Sequence, residues 1–200
     1  MVHFRRKLIT IGLSSFFLSL VSSNSLSLVI GRAIALARTL VVGDIHGCYN
    51  LLVKGLKQAG YIPGYDRLIL LGDYIDRGVD SAKVVELVRE LVSKGAISLM
   101  GNHEDMIRDT LDDWEAKNPY WFLNGARNTL LSYGVDSKQI RDRKAVMRAI
   151  PREHLDFFES LPLYYEDDQY IYCHAGIRPG IPLPEQKKED ILWIRDPFIA

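Results

Sequence analysis

From Thr39 onward the chain alternates between short apolar runs and helical spacings. Leu40, Val41 and Val42 form an apolar run ended by Gly43, which reads as a buried strand. Leu51, Leu52, Leu56 and Ala59 then recur at helical spacing, and Gly60 closes that helix. A turn at Pro63 and Gly64 leads to a second strand from Arg67 to Leu71. Val84, Val85, Leu87, Val88, Leu91 and Val92 predict the next helix, with Ser81 as its N-cap, and Ala96 to Met100 predicts a third strand. This β-α-β-α-β order predicts parallel strands, right-handed crossovers and helices packed on the sheet. Between Glu104 and Ser160 the pattern turns helical and polar, with Trp114, Trp121, Phe122, Leu130 and Leu131 as apolar stripes, and predicts three or four helices. Leu163 to Glu166 and Tyr170 to Cys173 flank Asp167 and Asp168 as a hairpin with a tight turn, the start of a second sheet.

Two hundred residues suffice for one domain with a single core. Its 25 basic and 25 acidic side chains cancel, so no basic field recruits nucleic acid and any recognition of a polyanion must be local. Cys48 and Cys173 are too few for a disulfide framework; they read as small buried hydrophobes in a reducing, cytoplasmic setting. Residues 1–38 stand apart. Arg5, Arg6 and Lys7 precede a charge-free, serine-rich span from Leu8 to Gly31, which imitates a secretory signal or an anchor. Membrane contact or export, if any, would run through that segment, and the domain proper is residues 39–200, expected as a monomer.

The candidate chemistry sits at strand ends. VVGDIHGCYN (41–50), LILLGDYIDRG (68–78), ISLMGNHED (97–105) and YIYCHAG (170–176) each place metal-ligand residues just after an apolar run. In open α/β sheets ligands bind beyond the carboxyl ends of the strands, so Asp44, His46, Asp73, Asn102 and His174 are expected in one crevice. Oxygen and imidazole ligands without thiolates suit Mn²⁺, Fe or Zn²⁺ better than a softer metal, and two such cations could share one carboxylate. Asp73 is the candidate bridge between them. Two cations roughly 3.5 to 4 Å apart clamp the attacking and leaving oxygens of a phosphoryl group and hold a bridging hydroxide. His103, beside Asn102, is the candidate proton donor, with Asp76 orienting it; Arg77 and Arg195 offer planar donors for phosphate oxygens, and Asn102 borders the same phosphate. Bland readings compete: Asp76 with Arg77 as a surface ion pair, Trp114, Trp121 and Phe122 as packing, His154 as a surface residue. Cys173 alternates with His174 and should face away from the cations.

GDIHG, GDYIDRG, GNHE and HAGI, in that order, resemble the signature of PPP-type serine/threonine protein phosphatases, in the small bacterial branch of the calcineurin-like metallophosphoesterase superfamily. The resemblance covers residues 39 to 200 and includes WIRDPF near the end. It implies an α/β fold of the αββα sandwich type and a dinuclear Mn or Fe/Zn centre. By position it implies Asp44, His46 and Asp73 on one metal, Asp73, Asn102 and His174 on the other, and His103 with Asp76 as the catalytic pair. It places Arg77 and Arg195 on phosphate. The family has a further histidine in a GHT motif beyond WIRDPF, which these 200 residues do not contain, so the resemblance implies a C-terminally incomplete domain lacking final strands and one ligand. The implied substrate is a phosphoprotein or a phosphorylated small molecule. Alternatives are a symmetrical dinucleoside tetraphosphate or capped RNA, or an impaired module that only binds phosphate. Asp76 and Glu104 stand where the dinucleotide hydrolases usually differ, which favours the phosphatase.

Overall fold

The computed structural model describes residues 38–196, together with two short strands before them. In chain order the elements are β1 (Lys7–Ile9), β2 (Leu18–Val21), β3 (Thr39–Val42), α1 (Tyr49–Gln58), β4 (Arg67–Leu70), α2 (Ser81–Ser93), β5 (Ile97–Ser98) and α3 (Asn102–Asp112). There follow α4 (Trp114–Leu123), α5 (Ala126–Ser132), α6 (Arg143–Ala149), α7 (Arg152–Ser160), β6 (Tyr164–Glu166), β7 (Tyr170–Cys173) and α8 (Lys188–Trp193). One sheet runs β2-β3-β4-β5 and the other β1-β7-β6. The pairs β3/β4 and β4/β5 are parallel, as the alternation with α1 and α2 predicts, and β6/β7 is the expected antiparallel hairpin. Its turn is closed by Asp167, whose carboxylate accepts from the amides of Gln169 and Tyr170.

Period-two alternation sorts the strands between two cores. Leu40 and Val42 of β3 and Leu68 and Leu70 of β4 join the large cluster under the helices, with Leu52 and Leu56 of α1 and Val84, Val85, Val88 and Leu91 of α2. Val41, Ile69, Leu71 and Leu99 point the other way and meet Tyr172 of β7, filling the space between the sheets. Each fully buried apolar side chain contributes about 1.5–3 kcal/mol.

Three local expectations are corrected. Five helices, α3 to α7, occupy the stretch from Asn102 to Ser160 rather than three or four. Asp113 interrupts the run at φ −126° and Gly125 turns it at φ 107°. Ser81 opens α2 as its first residue, one place after the cap position at Asp80, and its hydroxyl turns instead to Thr129. His154 is buried: it shares the inner face of α7 with Phe158, four residues on, and bonds to the Tyr133 hydroxyl at 2.8 Å and to Glu86 at 3.0 Å.

The sequence sets residues 1–38 apart as an extension, signal or anchor. Two backbone segments from them pair with the sheets, β2 antiparallel to β3 and β1 parallel to β7; apart from Arg38, the remainder lies outside the described residues. Among the described residues no helix is long and apolar enough to cross a membrane.

Candidate active site

Three loops meet at the carboxyl ends of β3, β4 and β5, and those after β3 and β4 are stitched together by their backbones. The amides of Ile45 and His46 both donate to the Asp73 carbonyl, Gly47 donates to Tyr74, and Gly78 returns to His46. The corner is tight: a Cβ on Gly72 would lie 2.3 Å from the Gly101 nitrogen, and one on Gly101 would lie 2.2 Å from Asp73 Oδ1. Only glycine at both places lets the β4 and β5 loops touch.

Among the described residues, the non-glycine positions with positive φ are His46 (44°), Asp73 (56°), Asp76 (69°) and Arg77 (65°). All four belong to the candidate site. Such conformations cost about 1–3 kcal/mol each and persist only where surrounding contacts impose them.

Glu104 is one source of that constraint. Its buried carboxylate accepts from the amides of Asp73 (2.8 Å), Tyr74 (2.8 Å) and Gly101 (3.0 Å), tying the β4 loop to the start of α3. Burial and the neighbouring Asp73 charge raise its carboxyl, opposed by the His103 imidazole and by the hydrogen bonds from the Asp73 and Tyr74 amides, which favour the carboxylate. Gly101, at the N-cap of α3, has no side chain to accept from the helix; Asp73 Oδ1 does so from outside, 3.0 Å from the His103 amide. In the sequence Glu104 marks only a difference from the dinucleotide hydrolases, yet its place three residues after a helix cap is the spacing of a capping box.

The predicted ligands converge. Ligand atoms of Asp44, Asp73 and His174 lie within 4.8 Å of one another, and so do those of His46, Asp73 and His103, with Asp73 common to both groups. His46 Nε2 is 3.4 Å from Asp73 Oδ2 and 3.9 Å from Asp44 Oδ2, and His174 Nε2 is 3.5 Å from Asp73 Oδ1. Both rings have the backbone at Nδ1, His46 on the Ile75 carbonyl (2.8 Å) and His174 on that of Leu71 (2.9 Å). A carbonyl fixes the proton on Nδ1 and leaves the Nε2 lone pair aimed inward, the arrangement of metal-ligating histidines. His46 Nε2 is buried with no hydrogen-bond partner, and burial drives that imidazole down to about 4, so at neutral pH it is an acceptor facing acceptors. The Asn102 amide lies 2.8 Å from His174 Nε2 and 3.2 Å from each Asp73 carboxylate oxygen. Turned nitrogen-inward it donates to them; turned oxygen-inward it adds another ligand. Lone pairs of carboxylate, amide and imidazole, gathered without a thiolate, fit a hard or borderline divalent cation.

Charge follows the same geometry. Burial opposes an ionised Asp73, yet the imidazoles of His174, His103 and His46 and the His103 amide hold its carboxyl below the ordinary range. Burial and the Asp73 charge raise Asp44. Cys173 faces away as expected, packed in the core with its thiol pushed up to about 12 by burial.

His103 sits beside this ring. Its Nδ1 is 2.7 Å from Asp76 Oδ2, and its Nε2 is 3.3 Å from Arg77 Nη2 and 3.8 Å from Asp73 Oδ2. Burial works against the imidazolium, but the hydrogen bond to Asp76 and the charges of Asp73, Asp76 and Glu104 outweigh it and raise its affinity for a proton. Asp76 is fully buried and bonded to His103, so it is no surface ion pair with Arg77. Two residues absent from the predicted site also hold it: the Trp121 indole donates to Oδ2 (2.9 Å) and the Thr129 hydroxyl to Oδ1 (2.7 Å). Arg195 follows α8 and donates to the Ile194 carbonyl at 2.8 Å. Among the described residues no hydrogen bond or ion pair ties it to the ligand ring.

The profile of the family described as calcineurin-like phosphoesterase matches residues 37–199. Serine/threonine-protein phosphatase 2 of Salmonella typhimurium is 34% identical over 167 residues, covering 80% of this chain and 69% of that protein. The symmetrical bis(5'-nucleosyl)-tetraphosphatase of Vibrio parahaemolyticus is 29% identical over 143 residues, covering 70% of this chain and 45% of that protein. A crystal structure described as a candidate diadenosine tetraphosphatase superposes with a TM-score of 0.56 at 25% identity, over 78% of this chain and 58% of that one. The chain thus spans between 45 and 69% of the length of these relatives.

Proposed function

The chain belongs to the calcineurin-like phosphoesterase family, and from that premise we propose that it is a dinuclear-metal-dependent phosphomonoester hydrolase acting on phosphoserine or phosphothreonine in proteins. The observation that carries this reading is the His103–Asp76 pair set against the ring of ligands. Asp44, His46, Asp73, Asn102 and His174 would hold the cations, Mn²⁺ first. When bound, they supply Lewis acidity toward the phosphoryl oxygens and a nucleophile at neutral pH.

The side chains account for the remaining work. Arg77 Nη2 faces His103 Nε2 at 3.3 Å, and two donors cannot face each other, so in this arrangement Nε2 presents its lone pair. A phosphoryl group gives the Arg77 guanidinium better acceptors and draws it away. His103 Nε2 then takes a proton, favoured by Asp73, Asp76 and Glu104, and delivers it to the departing alkoxide. Arg195 is proposed as a second phosphate donor. Identity to a relative named serine/threonine-protein phosphatase 2 supports the substrate class.

A second reading, hydrolysis of dinucleoside tetraphosphates, is favoured by the likeness to proteins bearing that name. Phosphate release from a phosphoserine peptide, compared with cleavage of diadenosine tetraphosphate under Mn²⁺, separates the two. The expected result is a higher kcat/KM on the peptide; a higher value on the dinucleotide overturns the preference. On the peptide, His103→Ala should lose about 10²–10⁴ in kcat, the usual worth of general-acid help. On p-nitrophenyl phosphate, whose leaving group needs little protonation, the loss should be small.

A further inference from the structure

The Asp76–Arg77 corner is two consecutive left-handed residues at φ 69° and 65°, and neither is glycine. Something must hold them. Beyond the Gly78 turn and the His103 bond, the contacts that do so come from one stretch of sequence, α4 to α5. Trp121, at the end of α4, is fully buried and donates its indole N–H to Asp76 Oδ2, the oxygen that also faces His103 Nδ1. Thr129, on α5, uses its hydroxyl to capacity: it donates to Asp76 Oδ1 (2.7 Å) and accepts from the Asp76 amide (2.7 Å) and the Ser81 hydroxyl (3.1 Å). Between the two helices the Gly125 carbonyl accepts from the Arg77 amide (3.3 Å), and Asn128 donates to the Arg77 carbonyl (2.5 Å).

We propose that the α4–α5 pair is a brace for the proton donor, in which Trp121 and Thr129 are positioning residues that aim the Asp76 carboxylate at His103. The inference rests on the reading of His103 as the acid. Asp76 is buried with three donors on two oxygens, so its plane is set by where those donors stand. Removing the indole N–H leaves Oδ2 with His103 alone and frees the carboxylate to rotate about its bond, which widens the range of imidazole orientations. The consequence falls on proton delivery rather than on phosphate capture. Orientation is lost, so the cost lands on kcat for substrates with poor leaving groups, while KM stays close to its original value.

The test is a leaving-group series on the full chain with Mn²⁺, from p-nitrophenyl phosphate to an alkyl phosphate and the phosphoserine peptide. Trp121→Phe keeps an aromatic ring and removes the donor. Thr129→Val keeps the volume and removes the hydroxyl, and Thr129→Ser restores the hydroxyl. The expected result is a roughly tenfold or larger fall in kcat on the alkyl and peptide substrates for Trp121→Phe and Thr129→Val, with less than about twofold change on p-nitrophenyl phosphate. Thr129→Ser should recover most of the loss. A purely structural role would lower all substrates together and would not be rescued in this pattern, and that outcome overturns the proposal, as does no loss at all. His103→Ala is run beside them. If it discriminates between leaving groups and Trp121→Phe does not, the brace fails while the acid stands; if His103→Ala does not discriminate, both fall.

Discussion

Single side chains here work on the backbone as much as on one another. Glu104 is the clearest case, because one carboxylate satisfies amides from the two loops that carry Asp73 and Asn102. In Glu104→Gln one end of the side chain becomes a donor and faces at least one of those N–H groups. The expected cost is about 1–3 kcal/mol, the penalty of a buried unsatisfied donor, read as a lower urea midpoint with an unchanged slope. An unchanged midpoint contradicts the role given to this carboxylate. The same scale explains what the sequence concealed. The convergence of Asp44, His46, Asp73, Asn102 and His174 was legible because these residue types sat after apolar runs beside glycines. Trp121 and Thr129 were not, because an indole or hydroxyl in a helical stretch carries no mark of the carboxylate it meets 45 or 53 positions away.

Elements were read well where pattern alone determines them. The alternation from Thr39 to Met100 gave β3, α1, β4, α2 and β5 with the correct parallel pairing. The stretch from Asn102 to Ser160 was read too coarsely, because its first two breaks rest on single residues, Asp113 and Gly125, while the later ones fall at the loop 133–142 and at Pro151. One joint between elements titrates. Arg38, just before β3, donates to the Ala59 and Gly60 carbonyls at the end of α1 and to both oxygens of Asp66, which also accepts from the Ile62 amide. The Arg38 hydrogen bond, against burial, holds the Asp66 carboxyl below its ordinary value. A carboxyl depressed by folding stabilises fully above its unfolded value of about 3.9, and that stabilisation is lost as pH falls through the lower folded value. Asp66→Asn should therefore unfold at lower urea than the parent at pH 7, with the gap narrowing below about pH 4. A gap equal at pH 7 and pH 3 contradicts the linkage.

At the scale of the molecule, the sheet edge is what makes one site from residues 130 positions apart, Asp44 to His174. The first sheet supplies three loops, the second delivers His174 after β7, and the small core between the sheets, from Val41 to Tyr172, sets how the two edges meet. Helices α4 and α5 lie outside that frame in the sequence and return to it through Asp76 and Arg77. Strands β1 and β2, from the segment expected as an extension, signal or anchor, add one pairing to each sheet, β1 beside β7 and β2 beside β3.

The account depends on these side chains holding paired cations through Asp73. Calorimetric titration of Mn²⁺ into chelator-treated protein, run in parallel on Asp73→Asn, measures that directly. Binding of two equivalents by the parent chain, lost in the variant, is the predicted result. Equal binding by both proteins, or none by the parent, would contradict it.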